Sequence, residues 1–144
     1  MTVLKETFAD YLALPEVAMP FMNTVHQAEV ALVTDLLTQV ENHAAPDAID
    51  KLLAAWVEHT RAHFAREERL MTEYNFFATP CHQGEHERAL LELLGVQQQW
   101  LRERDYTLLP AYIQHWREWL QQHISSMDFV TAQFLSQFKI EVEL

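Results

Sequence analysis

Residues that break or cross-link a chain are scarce in this sequence of 144 residues, which has two glycines, five prolines and one cysteine. With so little glycine and proline, long stretches remain in which a helix need not be interrupted. The single cysteine, Cys81, excludes a disulfide within the chain. Hydrophobic residues make up 49% of the sequence, which excludes a disordered chain and suffices for a buried core. We therefore predict one helical domain over residues 1–144.

Basic residues are also scarce, since 10 lysines and arginines stand against 21 aspartates and glutamates and give a net charge of −11. Nucleic acids and anionic membranes attract basic surfaces, so neither is an expected partner. No apolar run approaches the roughly 18 residues that a membrane-spanning helix needs. No basic segment followed by an apolar one, as in a secretory signal, is present at the start. We expect a cytoplasmic protein.

Apolar residues recur at helical spacing in four segments. Short breaks at residues 42–46, 75–79 and 105–107 separate them, and these contain proline or turn-forming residues. Asp47 and Thr79 are the predicted N-caps of the second and third helices. The four predicted helices run over about residues 21–43, 47–74, 79–104 and 108–138.

Residues 1–20 contain Pro15 and Pro20, and we predict that they pack on the protein as an N-terminal arm. Residues 139–144 form a short tail. Helices joined by short breaks fold back on one another. The predicted fold class is therefore all-α, an up-down-up-down four-helix bundle over residues 21–138 with an N-terminal arm.

Eight histidines are an unusual number for this length, and five of them are placed to meet two carboxylates inside the bundle. Side chains four residues apart share a helix face, which pairs a histidine with a glutamate in the second helix and two histidines in the third. The seven candidate metal ligands are His26 in the first helix, His63 and Glu67 in the second, His82 and His86 in the third, and His123 and Asp128 in the fourth.

These seven donors lie at nearly the same depth in the predicted bundle. Across the first and third loops, the donors of neighbouring helices are about 20 residues from the loop on either side. The second loop leaves an offset of about 7 Å of helix rise, which the irregular segment 75–79 can absorb. Buried polar groups need partners, and two divalent ions would supply them. Imidazole suits iron, zinc and copper, and a carboxylate can bridge two ions.

The spacing of His123 and Asp128 is less regular than that of the other pairs. Five residues of α-helix separate two side chains by about 140°. Either Asp128 reaches round the helix, or a bulge unwinds the helix locally.

The order and spacing of these residues resemble the hemerythrin family over about residues 10–138. The segment 63–71 is similar to the family's HxxxE motif and its flanking residues, the segment 82–86 to HxxxH, and the segment 119–129 to HxxxxD. His26 stands where the family has a single ligand in its first helix. Asn23 is a departure, because many bacterial members have Asp at that position, and support for the ring of His26 is therefore in doubt.

The resemblance implies a centre of two non-haem irons with an oxo or hydroxo bridge between them. One iron is held by three histidines, the other by two, and two carboxylates bridge the pair. The implied ligands are His82, His86 and His123 for the first iron, His26 and His63 for the second, and Glu67 and Asp128 as bridges.

The function implied by the resemblance is reversible dioxygen binding at the iron with two histidines, for oxygen carriage, delivery or storage. No catalytic residue is assigned, and a protein that accepts the oxygen is not identified. Apolar side chains around the ligands are candidates for the walls of an oxygen pocket, namely Leu120, Met127, Met71 and Trp119. Two alternatives stay open: a di-iron redox enzyme, such as a peroxidase or nitric oxide reductase, and a sensor of oxygen or iron.

Two histidine patterns compete with this interpretation. His59 shares a face with His63, but only His63 is followed one turn later by Glu67, so His59 is assigned to packing or to support of a ligand. The segment 82–86 also matches the HxxEH pattern of inverted zinc peptidases. This pattern is short, and such a peptidase also needs a third ligand and a substrate cleft.

Cys81 is adjacent to His82 and therefore points in another direction, and it is predicted to be a small buried residue. A ferritin-like site is excluded, because the chain has no Glu-x-x-His sequence.

Overall fold

Helices dominate the computed structural model, which describes residues 14–144. Among these residues there is no β-strand, and four long helical segments confirm the predicted all-α four-helix bundle. The fourth segment is divided in the middle by one turn of π-helix. The elements are α1 (Pro20–Glu41), α2 (Pro46–Glu73), α3 (Thr79–Glu103), α4 (Leu108–His123), the π turn (Ile124–Asp128) and α5 (Phe129–Leu135).

The predicted arm is described only in part, because residues 1–13 lie outside the described residues. Val17 and Met19 are buried just ahead of α1, so this part of the chain packs on the bundle. At the other end the fourth helical segment stops at Leu135, slightly before its predicted end. The assignment of the whole chain to one domain stays a prediction.

Proline marks the first turn of α1, α2 and α3, where a missing backbone N–H costs no helical hydrogen bond. The predicted N-caps are wrong, since the capping positions are held by Ala45 and Ala78. Asp47 lies inside the first turn of α2, where its charge suits the helix dipole. Thr79 is the first residue of α3, and its hydroxyl donates to the backbone carbonyl of Phe76 at 2.7 Å.

The core of the bundle is apolar towards one end and polar in one layer. Trp56, Trp100 and Leu109 are fully buried among the aliphatic side chains, and each buried side chain of this size contributes about 1.5–3 kcal/mol. Helix α1 packs on α2, α2 on α3, and α4 closes the bundle against α1 and α3. No helix among residues 14–144 is both long enough and apolar enough to cross a membrane.

A buried tryptophan ties α3 to α2 at the apolar end. The indole N–H of Trp100 donates to Oδ1 of Asp50 at 2.8 Å, and Arg104 bonds to the same oxygen. Alanine at Asp50 should lower the free energy of unfolding at pH 7 by about 1–3 kcal/mol, because the buried indole N–H loses its acceptor. Urea unfolding measures this difference. The matched control is Glu58→Ala, at a carboxylate that is 78% exposed, where we expect a change within about 0.5 kcal/mol.

The contribution of Asp50 should depend on pH. Burial raises the pKa of Asp50, but hydrogen bonds from Arg104 and Trp100 outweigh it, and the pKa is lowered from 3.8. A lowered carboxyl pKa gives stability that is complete above the unfolded-state pKa and lost as pH falls through the folded-state pKa. The difference between wild type and Asp50→Ala should therefore shrink as unfolding is repeated in acid. If wild type and Asp50→Ala have the same free energy of unfolding at pH 7, the hydrogen bond from Trp100 to Asp50 does not stabilise the fold.

Candidate metal centre

All seven predicted metal ligands lie in one buried layer, and they form two groups. Their side chains are between 0% and 4% exposed. Within each group, one ligand atom of every residue lies within 4.8 Å of the others. The first group is His82, His86, His123 and Asp128, and the second is His26, His63 and Glu67.

Glu67 lies between the two groups, with one oxygen facing each of them. Its Oε2 is 2.7 Å from Nε2 of His63 in the second group. Its Oε1 is 3.4 Å from Nε2 of His86 and 3.5 Å from Nε2 of His82 in the first group. A carboxylate in this position can give one oxygen to each of two cations.

Asp128 has the same relation to the two groups from the opposite side of the bundle. Its Oδ2 is 3.0 Å from Nε2 of His26. Its Oδ1 is 3.1 Å from Nε2 of His82 and 3.2 Å from Nε2 of His123. The geometry therefore offers two adjacent cation positions with two carboxylates between them.

The π turn explains how His123 and Asp128 reach the same layer. Residues Ile124–Asp128 make hydrogen bonds between residues five apart, which widens the helix by one residue in that turn. Side chains five apart are thereby brought towards the same face. The sequence allows either a long reach of Asp128 or a bulge, and the structure contains the bulge. Such turns are often found at functional sites.

Many polar atoms of this layer are buried without a hydrogen-bond partner. They are both ring nitrogens of His26, Nε2 of His86, Oε1 of Glu67 and both carboxylate oxygens of Asp128. Each such atom would cost about 1–3 kcal/mol if it stayed unpaired. Imidazole nitrogens and carboxylate oxygens around two positions form a donor set that suits divalent transition metals. The residues present therefore fit a pair of metal ions.

The ionisation of the two carboxylates agrees with a cation site. Burial and the nearby charge of Asp128 raise the pKa of Glu67, but His63 outweighs them and lowers it to about 2. Burial also raises the pKa of Asp128, but the rings of His123 and His26, with nitrogens 3.2 and 3.0 Å from its oxygens, hold it well below its usual range. Burial lowers the pKa of His63, yet Glu67 and Glu29 raise it well above 6.5. In the chain without metal, a proton on His63 thus balances the negative charge of the neighbouring carboxylates, which a bound cation would balance instead.

Residues 18–135 match the family model described as the hemerythrin HHE cation binding domain. The chain belongs to the hemerythrin family. Among curated proteins it is 32% identical to the bacteriohemerythrin of Aquifex aeolicus (strain VF5), over 80% of this chain and 88% of that protein. It is 29% identical to the bacteriohemerythrin of Ralstonia nicotianae (strain ATCC BAA-1114 / GMI1000), over 76% of this chain and 79% of that protein. It is also 32% identical to the myohemerythrin of Sipunculus nudus, over 51% of this chain and 54% of that protein.

Three of the histidines in this hemerythrin-family layer have outer partners that the sequence analysis missed. Nδ1 of His86 lies 3.0 Å from Oε2 of Glu68, and Nδ1 of His82 lies 2.7 Å from the hydroxyl of Thr131. An Nδ1–H that donates outward leaves Nε2 free to bind a metal and makes the ring a stronger ligand. Thr131 follows Asp128 by three residues, so its position on the same helix face was a usable signal.

The third outer partner is Glu29, which is buried beside His63. Its Oε1 lies 3.4 Å from Nδ1 of His63, and its Oε2 accepts a hydrogen bond from the indole of Trp56 at 3.1 Å. Burial raises the pKa of Glu29, but the ring of His63 beside it outweighs burial and lowers the pKa. Its spacing of three residues from His26 was the available sequence signal.

Asn23 does not take the place of the carboxylate found there in many family members. Its side chain accepts from the backbone N–H of Val17 at 2.9 Å and donates to the backbone carbonyl of Val17 at 3.0 Å. It thus fixes the segment ahead of α1. Nδ1 of His26 has no hydrogen-bond partner. Among the five rings of the layer, His26 therefore lacks the outer partner that Glu68 gives to His86, and so does His123.

The four predicted pocket residues are placed unevenly. Trp119 stacks on His123, with ring centroids 4.6 Å apart, and Met127 lines a surface groove beside both. The sulfur of Met71 is 4.0 Å from the hydroxyl of Thr131, which bonds to a ring of the first group. Leu120 is 1% exposed in the core. Trp119, Met127 and Met71 thus border the three-histidine group, and their role as pocket walls stays a prediction.

The structure corrects the prediction for Cys81 and weakens the peptidase alternative. Cys81 is exposed rather than buried, because its place next to the inward His82 turns it to the outside of α3.

Glu85 is the acid that a zinc peptidase would need. It accepts hydrogen bonds from Arg88 and Trp119, and these lower its pKa to about 2. Its carboxylate is therefore engaged by these two side chains rather than by a metal ligand of the layer.

Proposed function

We propose that this protein binds dioxygen reversibly at a centre of two non-haem irons, for oxygen carriage, delivery or storage. The observation that carries the proposal is the pair of buried donor groups with a carboxylate oxygen facing each. The names of the curated relatives, bacteriohemerythrin and myohemerythrin, support it. The proposed iron ligands are His26, His63, Glu67, His82, His86, His123 and Asp128.

The two iron positions are not equivalent. Three histidines surround one position, whereas two, His26 and His63, serve the other together with Glu67. The second position thus has one protein ligand fewer and can take a further ligand. When bound, the two irons supply the electrons and the open position that dioxygen binding requires. The protein contributes burial, because the ligand side chains are no more than 4% exposed and water is largely kept from the layer.

The additional carboxylate beside His63 supports binding over redox catalysis. A redox enzyme that releases a reduced product needs an acid that delivers protons to the open position. Glu29 has a lowered pKa and is therefore ionised, and it faces Nδ1 of His63, not the Nε2 that faces Glu67. It lies on the outer side of the ring and carries no proton to deliver to the site.

Metal analysis combined with visible spectroscopy tests the proposed function. We expect two irons per chain, a new absorption band when the reduced protein meets air, and loss of that band under vacuum. The same cycle with protein reconstituted with zinc is the control and should show no band. One zinc per chain at full occupancy in the purified protein would refute the iron centre. A band that never reverses, with iron left oxidised, would replace oxygen binding by the redox alternative.

A further inference from the structure

A second set of metal-ligand atoms lies between the candidate centre and solvent. Glu29, His59 and His63 each offer one ligand atom within 4.8 Å of the others, and we refer to these three residues as the outer cluster. Oε1 of Glu29 is 3.8 Å from Nε2 of His59 and 3.4 Å from Nδ1 of His63. His63 belongs to both sets, with Nδ1 directed to the outer cluster and Nε2 to Glu67 at 2.7 Å.

The outer cluster connects the buried layer to water. The side chain of His59 is 23% exposed, while that of His63 is 3% exposed and that of Glu67 is 1% exposed. From the surface inward, the ligand atoms are 3.8 Å apart between His59 and Glu29 and 3.4 Å apart between Glu29 and His63. On the inner side of the same ring, His63 and Glu67 are 2.7 Å apart. The ring of His63 is the member that the outer cluster shares with the buried layer, with one nitrogen facing each.

The atoms of the outer cluster are not satisfied by hydrogen bonds within the described residues. Nε2 of His59 and Nδ1 of His63 are buried and have no hydrogen-bond partner. Trp56 donates to Oε2 of Glu29, which leaves Oε1 facing the two rings. A cavity of ≈ 20 Å³ lined by Glu29 and Thr60 adjoins the cluster, which is room for about one water molecule as a further ligand.

We propose that the outer cluster is a transit site through which Fe²⁺ passes between solvent and the buried centre. The cation is held by His59, Glu29 and Nδ1 of His63 before Nε2 of the same ring and Glu67 take it over. A neutral imidazole has one lone pair for a metal, so His63 serves the outer or the inner position but not both. The outer cluster is therefore occupied in passing. The net charge of −11 favours the approach of a cation.

The proposal rests on the proposed iron centre for the destination of the cation, and kinetics test it separately. Iron release from the loaded protein to an excess of external chelator is followed with time, and so is anaerobic loading of the metal-free chain with ferrous salt. His59→Ala should slow both rates at least about tenfold, because the path in is also the path out and a ligand contact of this kind is worth about 10–100-fold. Glu29→Gln should slow loading as well, since it keeps the acceptor for Trp56 but loses the charge.

The direction of the change separates transit from packing. If His59 merely covers the ring of His63, alanine opens the site and iron leaves faster, which would overturn the proposal. Unchanged rates in His59→Ala would overturn it as well. The matched control is His115→Ala on α4, a histidine that is 61% exposed and paired with Glu92 at 2.8 Å, whose rates should equal those of wild type. A wild-type protein that retains no iron would instead refute the iron centre itself.

Discussion

Alanine in place of His63 should leave fewer than two irons per chain and lower the thermal unfolding temperature. His63 lies between two buried carboxylates, with Nε2 2.7 Å from Glu67 and Nδ1 3.4 Å from Glu29. Without His63, the two buried carboxylates lose the positively charged partner between them, and the loss of such a partner lowers the free energy of unfolding by about 3–5 kcal/mol. The loss of metal adds to this, because metal binding is linked to folding. Elemental analysis and circular dichroism during heating measure the two effects.

Two variants serve as references for His63→Ala. Cys81→Ala changes an exposed residue next to a ligand and should keep two irons and the unfolding temperature of wild type. His59→Ala should also reach two irons at equilibrium. If His59→Ala loses an iron while His63→Ala keeps both, the ligand in α2 is assigned one turn too late.

The layer of ligands was predictable because it depends on two regular quantities. Helix periodicity places His63 with Glu67, and His82 with His86, on single faces. The rise per residue, counted from the loops, places the four helices at a common depth. The spacing of five residues between His123 and Asp128 was compatible with a bulge or with a long reach of Asp128, and the sequence did not decide between them.

The surroundings of the ligands were less predictable, because they depend on which ring nitrogen points outward. Glu29, Glu68 and Thr131 each face the outer nitrogen of a ring, and the sequence does not give the ring orientation on which these contacts depend. Trp119 and Met127 are predicted pocket residues because they are apolar and flank the ligands, and each lies four residues from His123. That same spacing places them on the face of His123, beside the three-histidine group and not beside the other.

Glutamate in place of Leu120 should shorten the life of the oxygenated protein. Leu120 is 1% exposed and lies three residues before His123, on the side of α4 that faces the core. Burial raises the pKa of a carboxyl group, so the new side chain would be protonated at neutral pH and able to give up its proton. A positioned acid of this kind accelerates proton transfer by about 10²–10⁴-fold. We expect the oxygenated band to decay at least about tenfold faster, with iron left ferric and hydrogen peroxide in solution.

Leu120→Gln separates a proton donor from a wetter core. Glutamine has nearly the size and polarity of protonated glutamate but no acidic proton. If proton delivery limits the life of the oxygenated protein, decay is fast in Leu120→Glu and close to wild type in Leu120→Gln. If water that follows a polar side chain into the core is the cause, both variants decay equally fast. A wild-type protein that releases hydrogen peroxide at every exposure to air would refute reversible binding, because an apolar Leu120 then offers no protection and the redox alternative takes its place.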